Sequence, residues 1–458
     1  MTGAVAPAAQ HADGLDPPRR YWAIAVIAIA IVMAVMDGTL INLALPLIAL
    51  EMDASPSLVI WIVSAYQLAI TVSLFPLSAL GERLGYREVY CAGLLVFTLA
   101  SLVCALSDSV PMLIAARVLQ GLGASGVMSV NLALVRFIYP RNLLGRGIGY
   151  NGLIVALAAS AGPTVASGLL SVASWQWLFG VNLPLGIAAL AIGSKALPGN
   201  PKSRSPIDWT GAALSAAAIG FFIYALDGLG RDGASRSALA QFAASAILMF
   251  GLYLHQRGKT RPIIPLDLLR IPVVGLSSLT AVLCYVVQSL AYVGMPFLFH
   301  DELGFSVVEV GIAMTGWPLA LAAVSPLSGR LSDRFSAGRL GTIGLSVLAL
   351  GLSLMILLPD QPSILDVVWR MALCGIGFGL FQSPNSKAIV GSSPADRSGA
   401  SSALQSAARL FGQTLGATFV AILFASHPDA AAQGTLYLAL ACALGACLTS
   451  FFRTLVRN

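Results

Sequence analysis

The chain has 458 residues, of which 57% are hydrophobic and only 10% charged. A soluble domain carries about 25% charged residues, so composition excludes a soluble enzyme or binding module and points to a chain immersed in a bilayer. The formal net charge of +6 forms no basic cluster interleaved with stacking aromatics, which argues against a nucleic-acid partner.

Residues 1–20 are rich in Ala, Pro and Asp and read as a short disordered tail ending in Arg19-Arg20. The apolar run that follows is too long for a signal-peptide core. It is interrupted by Asp37 rather than by a small-residue cleavage site, so it is expected to stay in the mature protein. About 20 apolar residues are needed to cross the hydrocarbon core. On that criterion fourteen spans follow in order, at 22–49, 57–80, 89–107, 111–135, 147–171, 177–194, 208–227, 237–255, 273–299, 307–331, 339–358, 364–386, 400–425 and 433–452. With the N-terminus in the cytoplasm, 21 Lys and Arg fall on the cytoplasmic side, only Arg231 and Arg236 on the other, and Arg117, Arg370 and Arg409 inside spans. This positive-inside asymmetry supports both the span count and a multi-pass chain with both termini cytoplasmic.

The six cysteines lie in apolar stretches without a C-x-x-C pair and read as small packing residues. The four histidines show no metal-ligand spacing, so no metal is expected. No G-x-x-x-x-G-K-[ST] stretch is present, which removes ATP hydrolysis as an energy source. No other cofactor is indicated.

The sequence repeats itself. Ser78-Ala79-Leu80-Gly81-Glu82-Arg83-Leu84-Gly85-Tyr86-Arg87 after the second span is matched by Gly329-Arg330-Leu331-Ser332-Asp333-Arg334 after the tenth. Arg117 to Gly123 in span 4 is echoed by Arg370 to Gly377 in span 12. The offset is about eight spans. The expected architecture is therefore all-α: two pseudo-symmetric six-helix bundles at 21–195 and 273–453, with two inserted helices at 207–256. Parallel six-span repeats with a substrate site between them are a transporter architecture.

On these residues the chain resembles the major facilitator superfamily, and within it the fourteen-helix drug:proton antiporters. Met36 to Pro46 is similar to that family's helix-1 signature. Ser78 to Arg87 is similar to the loop 2–3 motif, with Ser78 for the usual first Gly and Glu82 for the usual Asp. Gly162-Pro163 resembles the core of the antiporter motif, which here continues Ala166-Ser167 rather than Gly-Gly. The segment from Trp175 to Phe179, with Asn182, Pro184 and Gly186, resembles the start of helix 6.

Asp37 is the acidic side chain placed deepest in the bilayer, where insertion costs about 2.5–3.5 kcal/mol. It could cap a helix break at Gly38, or it could load and release a proton as alternating access changes its surroundings. Asp37 lies about 20 Å from the inner face and Arg117 about 8–10 Å below the outer face at 1.5 Å per residue. In a core about 30 Å thick these depths agree within a turn, which makes Arg117 the expected partner, with a snorkelling rim residue as the alternative. Arg370 at similar depth could pair with Asp366 at the rim.

The resemblance implies that Glu82, Arg83, Arg87, Asp333 and Arg334 gate the cytoplasmic side. It also implies that Gly162 and Pro163 bend a helix around the cavity, a plain kink being the alternative. Tyr66, Gln67, Gln120, Asn131, Tyr150, Asn151, Tyr285, Gln288, Tyr292, Trp317 and Gln382 are the polar and aromatic candidates for a substrate cavity. Tyr285, Gln288 and Tyr292 share one helix face.

The function these features imply is a monomeric, proton-coupled exporter of lipophilic, often cationic, drugs or antiseptics in a bacterial cytoplasmic (inner) membrane, with protons, a small molecule and lipid as partners. Two alternatives are export of one metabolite or amphipathic anion, bound by Arg117 and Arg370, and a polytopic membrane enzyme or sensor. The last is disfavoured because no nucleophile–base pair or soluble domain is evident.

Overall fold

The computed structural model describes residues 14–200, 203, 207–232, 235–259, 261–359, 361–426 and 430–455. Most of the tail expected to be disordered, 1–13, lies outside them. The described residues are helical with no strand, as hydrocarbon demands of backbone groups that must bond within their own segment.

Among the described residues fourteen helices have spanning length. They are α1 (Arg19–Glu51), α2 (Pro56–Leu84), α3 (Tyr86–Ala105), α4 (Val110–Ile138), α5 (Leu144–Leu170), α6 (Asn182–Ala196, preceded by the single turn Trp177–Gly180), α7 (Trp209–Asp232) and α8 (Arg236–Gln256). The second half supplies α9 (Pro272–Phe297), α10 (Val307–Ser332), α11 (Ala337–Ile356), α12 (Ile364–Ser392), α13 (Ser398–Ser426) and α14 (Ala431–Leu455). Thirteen segments pass for membrane spans on length and apolarity, and α5, 27 residues long, makes the fourteenth. Several starts are set by serine caps: Ser55, Ser235, Ser336 and Ser363 each accept a first-turn N–H, and Ser306 forms a capping box with Glu309.

The expected repeat is visible in the packing. In the first bundle α4 packs on α2 and α3, α1 on α5 and α6, and α3 on α6. In the second, α12 packs on α10 and α11, α9 on α13 and α14, and α11 on α14. Each contact recurs eight helices later. The bundles meet along two equivalent seams, α5 against α10 and α13 against α2. The inserted pair α7–α8 is not central in space. It lies beside the α2/α13 seam, where Trp61 and Tyr224 approach to 6.1 Å and Phe222 and Phe411 to 6.0 Å between ring centroids.

The two seams differ in tightness. At α5/α10 a side chain on Gly149 would meet Ser325 O at 2.7 Å, and one on Gly329 would meet Gly145 O at 2.6 Å, so backbone rests on backbone. At the equivalent place on α2 stands Ser78, and farther along this seam a cavity of about 410 Å³ opens between α2, α7 and α13. Overpacking of this kind costs about 1–3 kcal/mol. Gly329→Leu is therefore expected to lower the melting temperature of the detergent-solubilised protein, while Gly251→Leu, with nothing within 4 Å, leaves it unchanged.

Candidate functional site

Asp37 is 2% exposed and Arg117 fully buried, and the two form an ion pair between α1 and α4 through Asp37 Oδ2 and Arg117 Nη1. The second carboxylate oxygen accepts hydrogen bonds from Gln120 Nε2 at 2.8 Å and Asn182 Nδ2 at 3.2 Å. Arg117 also donates to Gln120 Oε1 (2.6 Å) and, through Nε, to the carbonyl of Ile62 (3.0 Å). Its guanidinium lies 4.1 Å from the centroid of the Tyr66 ring, and the Tyr66 hydroxyl donates to Ala34 O at 3.1 Å. Gln120 reaches Ser101 Oγ at 2.9 Å. Five helices of the first bundle thus converge on one carboxylate, and Arg117 is its partner rather than a snorkelling rim residue.

Gln120 and Tyr66, expected to line a substrate cavity, belong to this network instead. Gln120 sits one helical turn from Arg117 and therefore on the same face. Asn182 was not singled out from the sequence as a ligand of Asp37, because nothing local to α6 reveals what lies across from it.

Arg370 pairs with Asp366 at 3.2 Å, four residues away on α12, so it is a rim pair. Both arginines that could have met an anionic substrate are thereby neutralised.

A small cavity of about 80 Å³ lies between the bundles, walled by α1, α4, α5, α9, α12 and α13. Of the expected cavity residues Asn131, Asn151, Tyr285 and Gln382 line it. Gln67 lines the larger cavity at the α2/α13 seam. Gln288 is bonded by Gln413 at 3.4 Å. Tyr292 and Trp317 stack edge to face at 5.7 Å. Tyr292 is seven residues beyond Tyr285, about 10 Å along the helix, so a shared face does not bring it to the same cavity. Unassigned Arg409 does line it.

The α5 backbone is helical through 162–163 and Gly162 is buried; the Pro163 side chain lies outside what is described.

At the end of the molecule where basic residues gather, each motif acid crosses to the other bundle. Glu82, at the end of α2, accepts from the N–H of Ala400 in the first turn of α13 (3.0 Å) and from Arg397 Nη1 (3.2 Å). Arg397 also donates to Asp267 Oδ1 at 3.0 Å. Asp333, at the end of α10, accepts from the N–H groups of Gly145 (2.8 Å) and Arg146 (3.2 Å) in the first turn of α5, and from Lys387 at 2.8 Å. Each carboxylate thus faces a helix N-terminus, where the exposed N–H groups and the macrodipole favour an anion. Arg83 and Arg334 are exposed, and Arg87 pairs with its neighbour Glu88 at 3.6 Å, so these three make no cross-bundle ion pair. Arg397 and Arg136 do the cross-bundle work of the loop arginines, while Lys387 holds Asp333 from within the second bundle. Arg136 donates to Val390 O and Ser393 O at 2.9 Å. Among the described residues, no hydrogen bond or ion pair joins the two bundles in the opposite half.

The model of the Major Facilitator Superfamily matches residues 27–417 and 277–457. The chain belongs to this superfamily of transporters. It is 46% identical over 451 residues to the uncharacterized transporter YebQ of Escherichia coli, covering 96% of this chain and 98% of that one. It is 29% identical over 423 residues to the tetracenomycin C resistance and export protein of Streptomyces glaucescens, covering 90% and 78%. The crystal structure of the human organic anion transporter MFSD10 (TETRAN) shares the fold, with a TM-score of 0.67 at 15% identity over 96% of this chain and 100% of that one.

Removing one member of a buried pair leaves the other uncompensated, at a cost of about 3–5 kcal/mol. Asp37→Asn is expected to lower the melting temperature in detergent markedly. Asp37→Asn combined with Arg117→Met is expected to recover much of that loss, since no buried charge is then orphaned.

Proposed function

We propose that the protein is a proton-coupled antiporter that exports lipophilic small molecules by alternating access, with its basic end in the cytoplasm. The observation that carries this reading is Asp37: one buried carboxylate in mid-membrane, held by Arg117, Gln120 and Asn182 in the first bundle. Protonation would cancel its charge and loosen its hold on Arg117, and so change how α1 and α4 are tied together. Tyr66, stacked on Arg117 and bonded to Ala34 O, links this network to α1 where Ala34 lines the central cavity. A proton at Asp37 and a substrate in the cavity can thereby sense one another through a single tyrosine. Resemblance to the export protein of Streptomyces glaucescens supports the outward direction.

The central cavity, about 80 Å³, is below the ~300 Å³ at which small-molecule sites begin. Substrate binding therefore requires the bundles to separate, and the carboxylates of Glu82 and Asp333 would hold the cytoplasmic end shut until they do. The cationic preference expected from the sequence depended on Asp37 meeting the substrate. Both of its oxygens are engaged within the first bundle, so the substrate's charge falls to groups that line the cavity.

In proteoliposomes with an imposed pH gradient, wild type is expected to concentrate lipophilic dyes and Asp37→Asn to lose gradient-driven accumulation at least tenfold, with substrate–substrate exchange retained. Undiminished gradient-driven accumulation by Asp37→Asn would sink the coupling role. For the gate, Ser402→Cys in a cysteine-free background places a thiol at a buried cross-bundle contact. Adding Glu82→Gln and Asp333→Asn is expected to raise its labelling by a membrane-impermeant maleimide at least fivefold from the cytoplasmic side.

A further inference from the structure

Arg409 lies on α13 about 17 Å from the helix start at 1.5 Å per residue, in the middle of the membrane. It lines the central cavity and, among the described residues, is the one charged side chain in that lining. No hydrogen bond or ion pair joins it to another described residue. Every other arginine carried to membrane depth is answered: Arg117 by Asp37, Arg370 by Asp366, and Arg453, at the basic end, by Ser277, Asn385 and the Ala337 carbonyl. An ionised group at this depth is costly and normally faces a partner or an aqueous path. Arg409 is half-buried, so it faces the cavity rather than sealed protein.

Its neighbours are also unsatisfied. Asn131 Oδ1, Gln382 Oε1 and Gln405 Oε1 are buried, line the same cavity and have no hydrogen-bond partner. These amide oxygens are acceptors, so they call for N–H or O–H groups on the ligand body. Tyr285 adds a phenol and an aromatic face, and the remaining wall is mostly apolar. One free cation, three unpaired amide ends and an apolar wall together describe a ligand with an anionic group on a hydrogen-bonding, largely apolar body.

We propose that Arg409 is the substrate counter-ion, and that the central cavity selects organic monoanions – carboxylates, sulfonates or phosphates on an aromatic or aliphatic body – over the lipophilic cations expected from the sequence. A lipophilic cation would enter a cavity already carrying one positive charge, with Asp37 shielded by Arg117 and the motif acids engaged at the basic end. This inference rests on the transport reading, but it concerns which charge is bound and not what drives movement.

The test uses three probes with one body: pyrenebutyrate, pyrenebutanol and pyrenebutylamine. Equilibrium binding to the full chain in nanodiscs, without a gradient, should favour the carboxylate over the amine at least tenfold. Arg409→Gln should erase that preference while leaving the alcohol unchanged, and Arg409→Lys should keep part of it. Preference for the amine, equal binding of all three, or binding of none overturns the proposal. So does an Arg409→Gln protein whose charge preference is intact but whose pH dependence of transport has moved, because Arg409 would then serve the proton site. Gradient-driven uptake separates this proposal from the function it rests on. Arg409-dependent carboxylate binding without proton-driven movement upholds the site and sinks the coupling. Proton-driven movement of all three probes alike does the reverse.

Discussion

A charge inside hydrocarbon must be answered by another charge, by hydrogen bonds or by water, and the structure is organised around how each buried charge is answered. Asp37 is answered three ways, and that requirement draws α1, α4 and α6 to one point, with α2 and α3 joined through Ile62 and Ser101. Glu82 and Asp333 are answered across the bundle boundary, which makes two separate bundles into one closed end. Low dielectric makes each interaction strong when satisfied and costly when broken. A handful of polar contacts can therefore tie helices and bundles together in a chain that is 57% hydrophobic.

Much of this was legible in the sequence, for reasons tied to period and depth. Apolar run length and the distribution of arginines placed the spans, and the eight-span offset placed the two bundles. Depth arithmetic alone paired Asp37 with Arg117. What was hidden was anything requiring contact between distant segments. Arg397 reaches Glu82 across 315 residues, and no local pattern marks it apart from the other cytoplasmic arginines. Arg409 was visible as a charge within a span, but only the packing shows that it has no partner. The cavity was legible in part, because helix direction was known but tilt was not: Asn131, Asn151, Gln382 and Tyr285 line it, and Tyr292, on the same face as Tyr285, does not.

The two seams show how a duplicated architecture accommodates an insertion. Both copies keep a carboxylate at the end of the second helix facing the first turn of the fifth helix of the other copy. Both seams carry a glycine at the crossing, but a side chain on Gly399 would meet Ser78 O at 3.1 Å, against 2.6 Å for one on Gly329 meeting Gly145 O, and α2 carries Ser78 and has α7 beside it. The departure from the motif at Ser78 thus coincides with the looser of the two seams. The carboxylate contact is preserved on both sides, while the closest backbone approach is found on one.

Under the proposed coupling, reliance on a single carboxylate has an electrical consequence. One site in one bundle sets one proton per cycle under the proposed exchange. Against a monocation, that exchange moves no net charge, and only the pH difference drives it. Against a monoanion leaving as the proton enters, two charges cross the membrane in the same electrical sense. Each is worth about 2.3 kcal/mol per 100 mV, so ~100 mV supplies ~4.6 kcal/mol, about three decades of concentration. A protein with one acid and one unanswered arginine would then run on membrane voltage, and would keep working in surroundings where the pH difference has collapsed.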